Sequence, residues 1–398
     1  MTGAAPGVQP ARIFMLAGEP SGDMLGARLI QALRAAAGNT IEVFGVGGSR
    51  MREQGVDSLF PMNELSLIGF TEVLPHVPHL ASRLRQTAHE IDRQRPDLVL
   101  TIDSPGFALR LQHRLRRRPL LRIHYVAPQV WAWRASRAAR LTRDLDHLLA
   151  LLPFEPAYFE RHGLACSFVG HPIIEEAGRP RDGPRFRRRY DIPHEVPLLC
   201  LLPGSRRSEI AHHLPVLRHA VARLWQQLPR LRVVLPTLGH LAPLVRSGVA
   251  GWDVPVLVLE DREERFEAYA ASSLAIAASG TVSLEVALAG LPMITIYKTG
   301  PLTAWLARRL ITVPHVNLIN LILSRPAVPE LLQEDCRPER IAASAIRLMT
   351  DQGLRQQQQA ALAEAVVRLG GVGEQPPSHR AAARILEILA AQSTRRTR

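Results

Sequence analysis

Eleven short apolar runs, each three to five residues long, alternate with helix-length amphipathic segments along nearly the whole chain. Six fall in the first half: Arg12–Leu16, Ile41–Phe44, Leu98–Ile102, Arg122–Val126, His147–Leu151 and Ser167–Val169. Five follow in the second: Leu198–Leu202, Arg232–Leu235, Val256–Leu259, Ala275–Ala277 and Met293–Ile296. Runs this short and apolar are strands buried on both faces, and the alternation makes them parallel, with helices on either side. The predicted fold class is α/β, with two doubly wound halves facing each other across a cleft. Ligands of such sheets sit outside the carboxyl ends of the strands, so the informative residues are those that follow strands.

The halves are separated by Pro172 to Pro197, which contains Gly178, Pro180, Gly183, Pro184 and the basic cluster Arg185–Arg189, and reads as a linker with a short helix. Leu369 to Pro377 interrupts the chain again before an amphipathic helix, His379 to Ala391, and a fraying basic tail. The expected division is 11–172, 173–370 and 371–398. At 398 residues both halves are large enough to bury a core of their own. The scattered Cys166, Cys200 and Cys336 exclude a disulfide framework and offer no metal-ligand spacing.

Basic residues outnumber acidic ones 49 to 36, and Lys298 is the only lysine. An arginine surface attracts phosphate, whether on nucleic acid, an anionic membrane or a phosphorylated substrate. The longest weakly charged window, Ser272 to Tyr297, is broken by Gly280, Glu285, Gly290 and Pro292, so it reads as strand–turn–helix–strand rather than a span. No secretory signal is visible. The expected location is cytoplasmic, with any membrane attachment peripheral.

The first strand runs into Ala17-Gly18-Glu19-Pro20-Ser21-Gly22-Asp23 and then a helical pattern to Ala36. Glycines let such a loop approach a ligand, although Ser21 or Asp23 would also serve as helix caps. Capping leaves Glu19 unexplained, which favours a functional loop. The third strand ends Ile102-Asp103-Ser104-Pro105-Gly106-Phe107. A carboxylate there stands at the cleft mouth, where partial desolvation would raise its pKa toward that of a useful base. An Asx turn before Pro105 is the alternative, and local sequence leaves both open. His124 to Arg134 places Gln129, Trp131 and Trp133 beside an arginine-rich helix, suited either to packing or to binding a sugar or phosphate.

In the second half, Pro203-Gly204-Ser205-Arg206 joins a strand to a helix, and Ser279-Gly280-Thr281 starts another with Glu285 on its first turn. Neither is a P-loop, but both expose backbone N–H groups, and Arg206 adds a planar donor fork suited to phosphate. Two such starts point to the diphosphate of a nucleotide, with Glu285 placed for ribose hydroxyls. Asp144-Leu145-Asp146 resembles a metal-binding DxD but reads as helix-end carboxylates, so no metal is expected. The segment from Leu65 through Leu67, Ile68, Phe70, Val73 and Leu74 to Leu80 carries more apolar residues than one buried helix face requires. It is either core or a lipid-contacting lobe, with Arg83 and Arg85 positioned for headgroups. Trp305 to Leu310 is a second such element.

The ordered set AGEPSGD, GFTEVLP, IDSPGF, HYVAPQVWAWR, LLPFE, FVGHP, LLPGSRRSEI, ASGTVSLE, VNLIN and VPELLQ resembles the lipid-A-disaccharide synthase family from Arg12 to Gln333. The resemblance implies a GT-B fold, two Rossmann-like domains with the nucleotide mainly in the C-terminal one. It implies an inverting glycosyl transfer from UDP-2,3-diacylglucosamine to 2,3-diacylglucosamine 1-phosphate (lipid X), giving a β-1,6-linked disaccharide and UDP, with no cofactor. Carried over by motif, Asp103 is the base, and Glu19 orients the acceptor or sugar. Ser21, Gly22, Asp23, Gln129 and Trp131 lie on the acceptor side. Gly204, Ser205 and Arg206 take the diphosphate with Ser279, Gly280 and Thr281, Glu285 takes the ribose, and Asn320 lines the nucleotide pocket. The 65–80 lobe meets acyl chains at the cytoplasmic surface of the inner membrane. Gly106 departs from the Asp of many members, which leaves Asp103 the sole acid of its turn, and Ile319 stands where some have Pro. The rivals are a UDP-N-acetylglucosamine 2-epimerase, which acts on a soluble sugar, and an arginine-rich nucleic-acid binder, for which no recognition motif is present.

Overall fold

A computed structural model describes residues 10–65, 77–129, 135–176, 181–261, 263–310, 313–371 and 375–396. The chain divides into two units, Met1–Pro172 with Gly373–Arg398, and Ile173–Val372.

The first unit holds a parallel sheet of β1 (Ala11–Ala17), β2 (Ile41–Val46), β3 (Leu98–Ile102), β4 (Leu121–Tyr125), β5 (His147–Ala150) and β6 (Cys166–Phe168), in the order β2-β1-β3-β4-β5-β6. β1 and β3 are buried along nearly their whole length because helices cover both faces of the sheet. One face packs against the helix Pro20–Ala37, the other around Phe14, Leu16, Val99 and Leu111. The last helix, Pro377–Arg396, belongs to this unit. Ala381, Ala382, Ile385 and Leu389 share one of its faces and are buried in the core with Leu29 and Leu33.

The second unit repeats the plan with β7 (Leu198–Leu202), β8 (Arg232–Pro236), β9 (Val256–Leu259), β10 (Leu274–Ala278), β11 (Met293–Tyr297) and β12 (Glu330–Leu332), in the order β12-β11-β10-β7-β8-β9. All eleven expected strands are present, with ends within two residues of those read from the sequence. β12 is the addition. It is three residues long, half-buried and at the sheet edge, and so carries no apolar run.

Strand order reverses direction once in each sheet. In the first unit the chain goes outward from β1 to β2, then crosses back to β3. In the second, β7, β8 and β9 run one way, and β10 returns to the other side of β7. The strands splay their connections apart at these reversals, which opens a crevice between β1 and β3 and another between β7 and β10.

Candidate functional site

The β1–β3 crevice of the first unit is built from the two loops singled out in the sequence. The helix after β1 begins at Pro20, with Glu19 as an extended N-cap residue that makes no side-chain capping bond. Capping therefore explains neither Ser21 nor Asp23. Ser21 Oγ instead donates to Asp103 Oδ2 at 3.1 Å, which joins the two loops. Asp23 is 3 % exposed, and its carboxylate accepts the backbone N–H groups of Gly48 (2.7 Å), Arg50 (3.0 Å) and Met51 (3.0 Å). It clamps the start of the neighbouring helix Ser49–Glu53, which places its carboxylate in a structural set of hydrogen bonds beneath the loop expected on the acceptor side.

Asp103 and Ser104 both adopt left-handed backbone conformations, φ 52° and 47°. Asp103 Oδ1 accepts the Ser104 N–H at 2.9 Å, while the Asp103 N–H continues the sheet ladder to the Tyr125 carbonyl. At the end of the adjacent β4, Val126 has φ 80°, a costly conformation for a β-branched residue. Backbone strain is thus concentrated where β3 and β4 deliver their loops. The turn also sits against Gly18, where a Cβ would come 2.6 Å from Ser104 Oγ and 2.9 Å from Ser104 Cβ, so only glycine fits there. Beneath it, Thr101 Oγ1 bonds His124 Nδ1 at 2.8 Å and accepts from Gln112 Nε2 at 3.0 Å, which ties β3, β4 and the helix Pro105–Leu115 together. Burial depresses the His124 pKa to about 4, which keeps this layer neutral.

Glu19 reaches the same crevice. Partial burial, and secondarily the charge of Asp103, raise its pKa above the ordinary carboxylate value. The crevice therefore offers a carboxylate fixed by two donors, Asp103, beside Glu19, which holds its proton more tightly than an ordinary glutamate.

Gln129 is exposed beyond β4, and Trp131 lies outside the described residues. So do Leu67, Ile68, Phe70, Val73 and Leu74 of the expected lipid-contacting lobe. Leu65 is 7 % exposed and packs with Phe14, Leu16 and Phe60, so at this position the core reading replaces the lipid one. Trp305 is 49 % exposed, with the Arg309 guanidinium 4.2 Å over its ring.

In the second unit, the loops after β7, β10 and β11 gather at adjacent strand ends. Gly204 has φ 124°, and a Cβ there would fall 2.4 Å from Glu209 Oε2. That oxygen accepts the backbone N–H groups of Ser205 (2.9 Å) and Arg206 (3.3 Å). Glu209, three residues into the helix Arg207–Gln227, thus takes the donors expected for phosphate. What remains for an anion is the Arg206 guanidinium, 75 % exposed and only 3.4 Å from Glu209 Oε1. Tyr297 is close by. Burial and the Glu209 charge raise its phenol pKa, with Arg206 acting in the opposite sense.

Gly280 and Thr281 are accessible after β10, while Ser279 Oγ donates to the Val316 carbonyl at 3.0 Å. Glu285 is half-buried and bonded to Arg265 (2.9 Å) and Tyr269 Oη (3.3 Å), so a ribose would share a carboxylate already engaged. Asn320 is 1 % exposed. Its Nδ2 donates to the Val328 carbonyl and Glu330, and its Oδ1 accepts from Ala327 and Val328 N–H. It stitches the helix Leu318–Leu323 to the approach to β12, with both ends of its amide engaged inside the protein where a nucleotide contact was expected.

Asp144 pairs with His113 at 2.9 Å and Asp146 with Arg122 at 2.8 Å, so the DxD acids are structural. Among the described residues no three His, Cys, Asp or Glu side chains converge, and no helix is long and apolar enough to cross a membrane. Glu209 escaped the sequence reading, although a glutamate at the third helical position is a recognisable capping signal.

The sequence model of a family described as lipid-A-disaccharide synthetase matches residues 13–385. The lipid-A-disaccharide synthase of Rhodospirillum centenum is 49 % identical over 386 residues, covering 96 % of both chains. Among solved structures, the UDP-GlcNAc 2-epimerase of Neisseria meningitidis, bound to UDP-GlcNAc, superposes with a TM-score of 0.61 at 13 % identity, over 96 % of this chain and 100 % of that one. MurG of Acinetobacter baumannii gives 0.55 at 15 % identity, over 96 % and 100 %. These two likenesses establish a shared GT-B-like fold.

Proposed function

The chain belongs to the lipid-A-disaccharide synthase family, glycosyltransferases of lipid A biosynthesis, and from that premise we propose that it joins UDP-2,3-diacylglucosamine to lipid X with inversion. The observation that carries the mechanism is the paired carboxylate crevice at the β1–β3 reversal. Asp103 accepts the proton of the acceptor 6-hydroxyl as that oxygen bonds to the anomeric carbon of the donor. The bond from that carbon to the UDP oxygen breaks, and the electron pair leaves with UDP. Ser21 and the Ser104 N–H hold the Asp103 carboxylate in one orientation, which favours a reactive geometry. Glu19, with its raised pKa, orients a sugar hydroxyl beside it.

Arg206 meets the diphosphate through its exposed fork, a charge-assisted contact that strengthens as negative charge develops on the departing oxygen. Gly280 and Thr281 add polar contacts, and Glu285 shares its carboxylate with the ribose. The net charge of +13 and the exposed Trp305–Arg309 pair support peripheral attachment to the anionic cytoplasmic surface of the inner membrane. The acids of the DxD sequence are engaged by His113 and Arg122, which supports transfer without a metal.

The test is mass and anomeric analysis of the product from purified protein, both substrates, and chelator present or absent. A β-1,6-linked disaccharide formed at equal rate with chelator supports the reading. UDP release that ignores lipid X, or an epimerised UDP-sugar, overturns it.

A further inference from the structure

The first unit carries an open groove of about 1070 Å³ that starts at Pro105 and Gly106, directly after the Asp103–Ser104 turn, and follows the helix Pro105–Leu115. Arg110 and Arg114 lie one turn apart on one face of this helix, Arg117 follows in the turn beyond its end, and Arg140, from the helix Ala135–Asp144, lines the groove as well. Among the described residues none of these four guanidiniums has an ion-pair partner. Nearby arginines do: Arg118 pairs with Asp92, and Arg122 with Asp146.

These uncompensated like charges, with Arg116 on the same lining as a fifth, repel one another unless an anion joins them. A guanidinium fork matches phosphate oxygens, and a phosphate monoester carries about −1.5 to −2 charges at neutral pH. Leu84, Leu109 and Leu141 supply apolar wall between the charges, so the fitting ligand is amphiphilic. The entrance is open: a Cβ on Gly106 would meet nothing within 4 Å. Four residues of helical rise, about 6 Å, separate Gly106 from Arg110 along the helix axis.

We propose that this groove is the subsite for the phosphate monoester of the lipid acceptor, with Arg110 and Arg114 on one wall and Arg140 as the third donor. The assignment rests on the acceptor reading given above. It makes the phosphate a handle that sets which hydroxyl faces Asp103.

The test compares lipid X with its dephosphorylated counterpart in wild type and in the Arg110→Gln, Arg114→Gln and Arg140→Gln variants. Each variant is expected to raise KM for lipid X about tenfold or more, with kcat and donor KM near wild type and no change for the dephosphorylated acceptor. Equal losses on both acceptors, or no loss on either, overturn the assignment. Flotation with phosphatidylglycerol vesicles separates the other source of lipid phosphate. Vesicle binding that falls in the variants while KM for lipid X holds makes the groove a membrane contact and also overturns it. If wild type forms no disaccharide, the reaction reading fails by itself, and the groove is judged by titrating lipid X in detergent micelles. An affinity loss of about tenfold in the variants, absent for the dephosphorylated lipid, still supports the phosphate subsite, and equal affinity ends it.

Discussion

Replacement of Gly18 by alanine probes how the fold holds its candidate base. The added Cβ would lie 2.6 Å from Ser104 Oγ and 2.9 Å from Ser104 Cβ. Rotation of the hydroxyl relieves the first overlap but not the second, because that Cβ is fixed to a backbone already in the left-handed region at φ 47°. Ser104 is 5 % exposed and has no open space to retreat into. The overlap is therefore released by displacing the Asp103–Ser104 turn, and overpacking of this kind costs about 1–3 kcal/mol. For a unit of this size that lowers Tm by roughly 2–10 °C. The displaced atoms include the Ser104 N–H that orients Asp103, so kcat should fall as well, by up to about 100-fold for a shift near 1 Å. Thermal denaturation and steady-state transfer read the two effects. Ser104→Gly removes both clashing atoms, so the double variant should recover most of the lost Tm. A Gly18→Ala protein with wild-type Tm and kcat, or a double variant showing simple additivity, refutes the steric reasoning.

Two further perturbations follow from the same geometry. Glu19 has a folded pKa above its unfolded value, so the folded state binds the proton more tightly, and its stability falls as pH rises from the unfolded pKa through the folded one. Glu19→Gln should therefore raise Tm at neutral pH, lose that gain below about pH 4, and reduce turnover; a Tm gain that is the same at both pH values contradicts this. Arg206→Ala removes an exposed side chain and should leave Tm unchanged while weakening UDP binding about tenfold or more in a titration. Unchanged UDP affinity would remove its diphosphate role.

The strands were legible because parallel strands covered on both faces must be apolar, and five-residue runs such as Leu98–Ile102 have no other use. The crevice loops followed from them, since whatever succeeds β1, β3, β7 and β10 must stand at a reversal. The individual polar residues of those loops were not legible. Asp23 and Asn320 have the composition of ligand-binding residues, but their partners are backbone groups of Gly48, Arg50 and Val328, distant enough in sequence to leave no local signal. A side chain that satisfies a buried N–H and one that awaits a ligand look alike in sequence. Val126 is harder still, because its left-handed backbone opposes its own propensity and is imposed by tertiary packing. Glu209 was missed although its third helical position carries a capping signal, and its occupation of the Ser205 and Arg206 donors appears only once Gly204 lets the chain turn at φ 124°.

Exchange of Asp103 for asparagine tests the proton transfer most directly. Asparagine tolerates the left-handed backbone at this position, can keep the oxygen that accepts the Ser104 N–H, and presents an amide where Ser21 now donates. Folding and UDP affinity should stay at wild-type level while the rate of disaccharide formation in a single turnover falls by about 10²–10⁴. A folded Asp103→Asn protein that turns over within about threefold of wild type would contradict the assignment of Asp103 as the base.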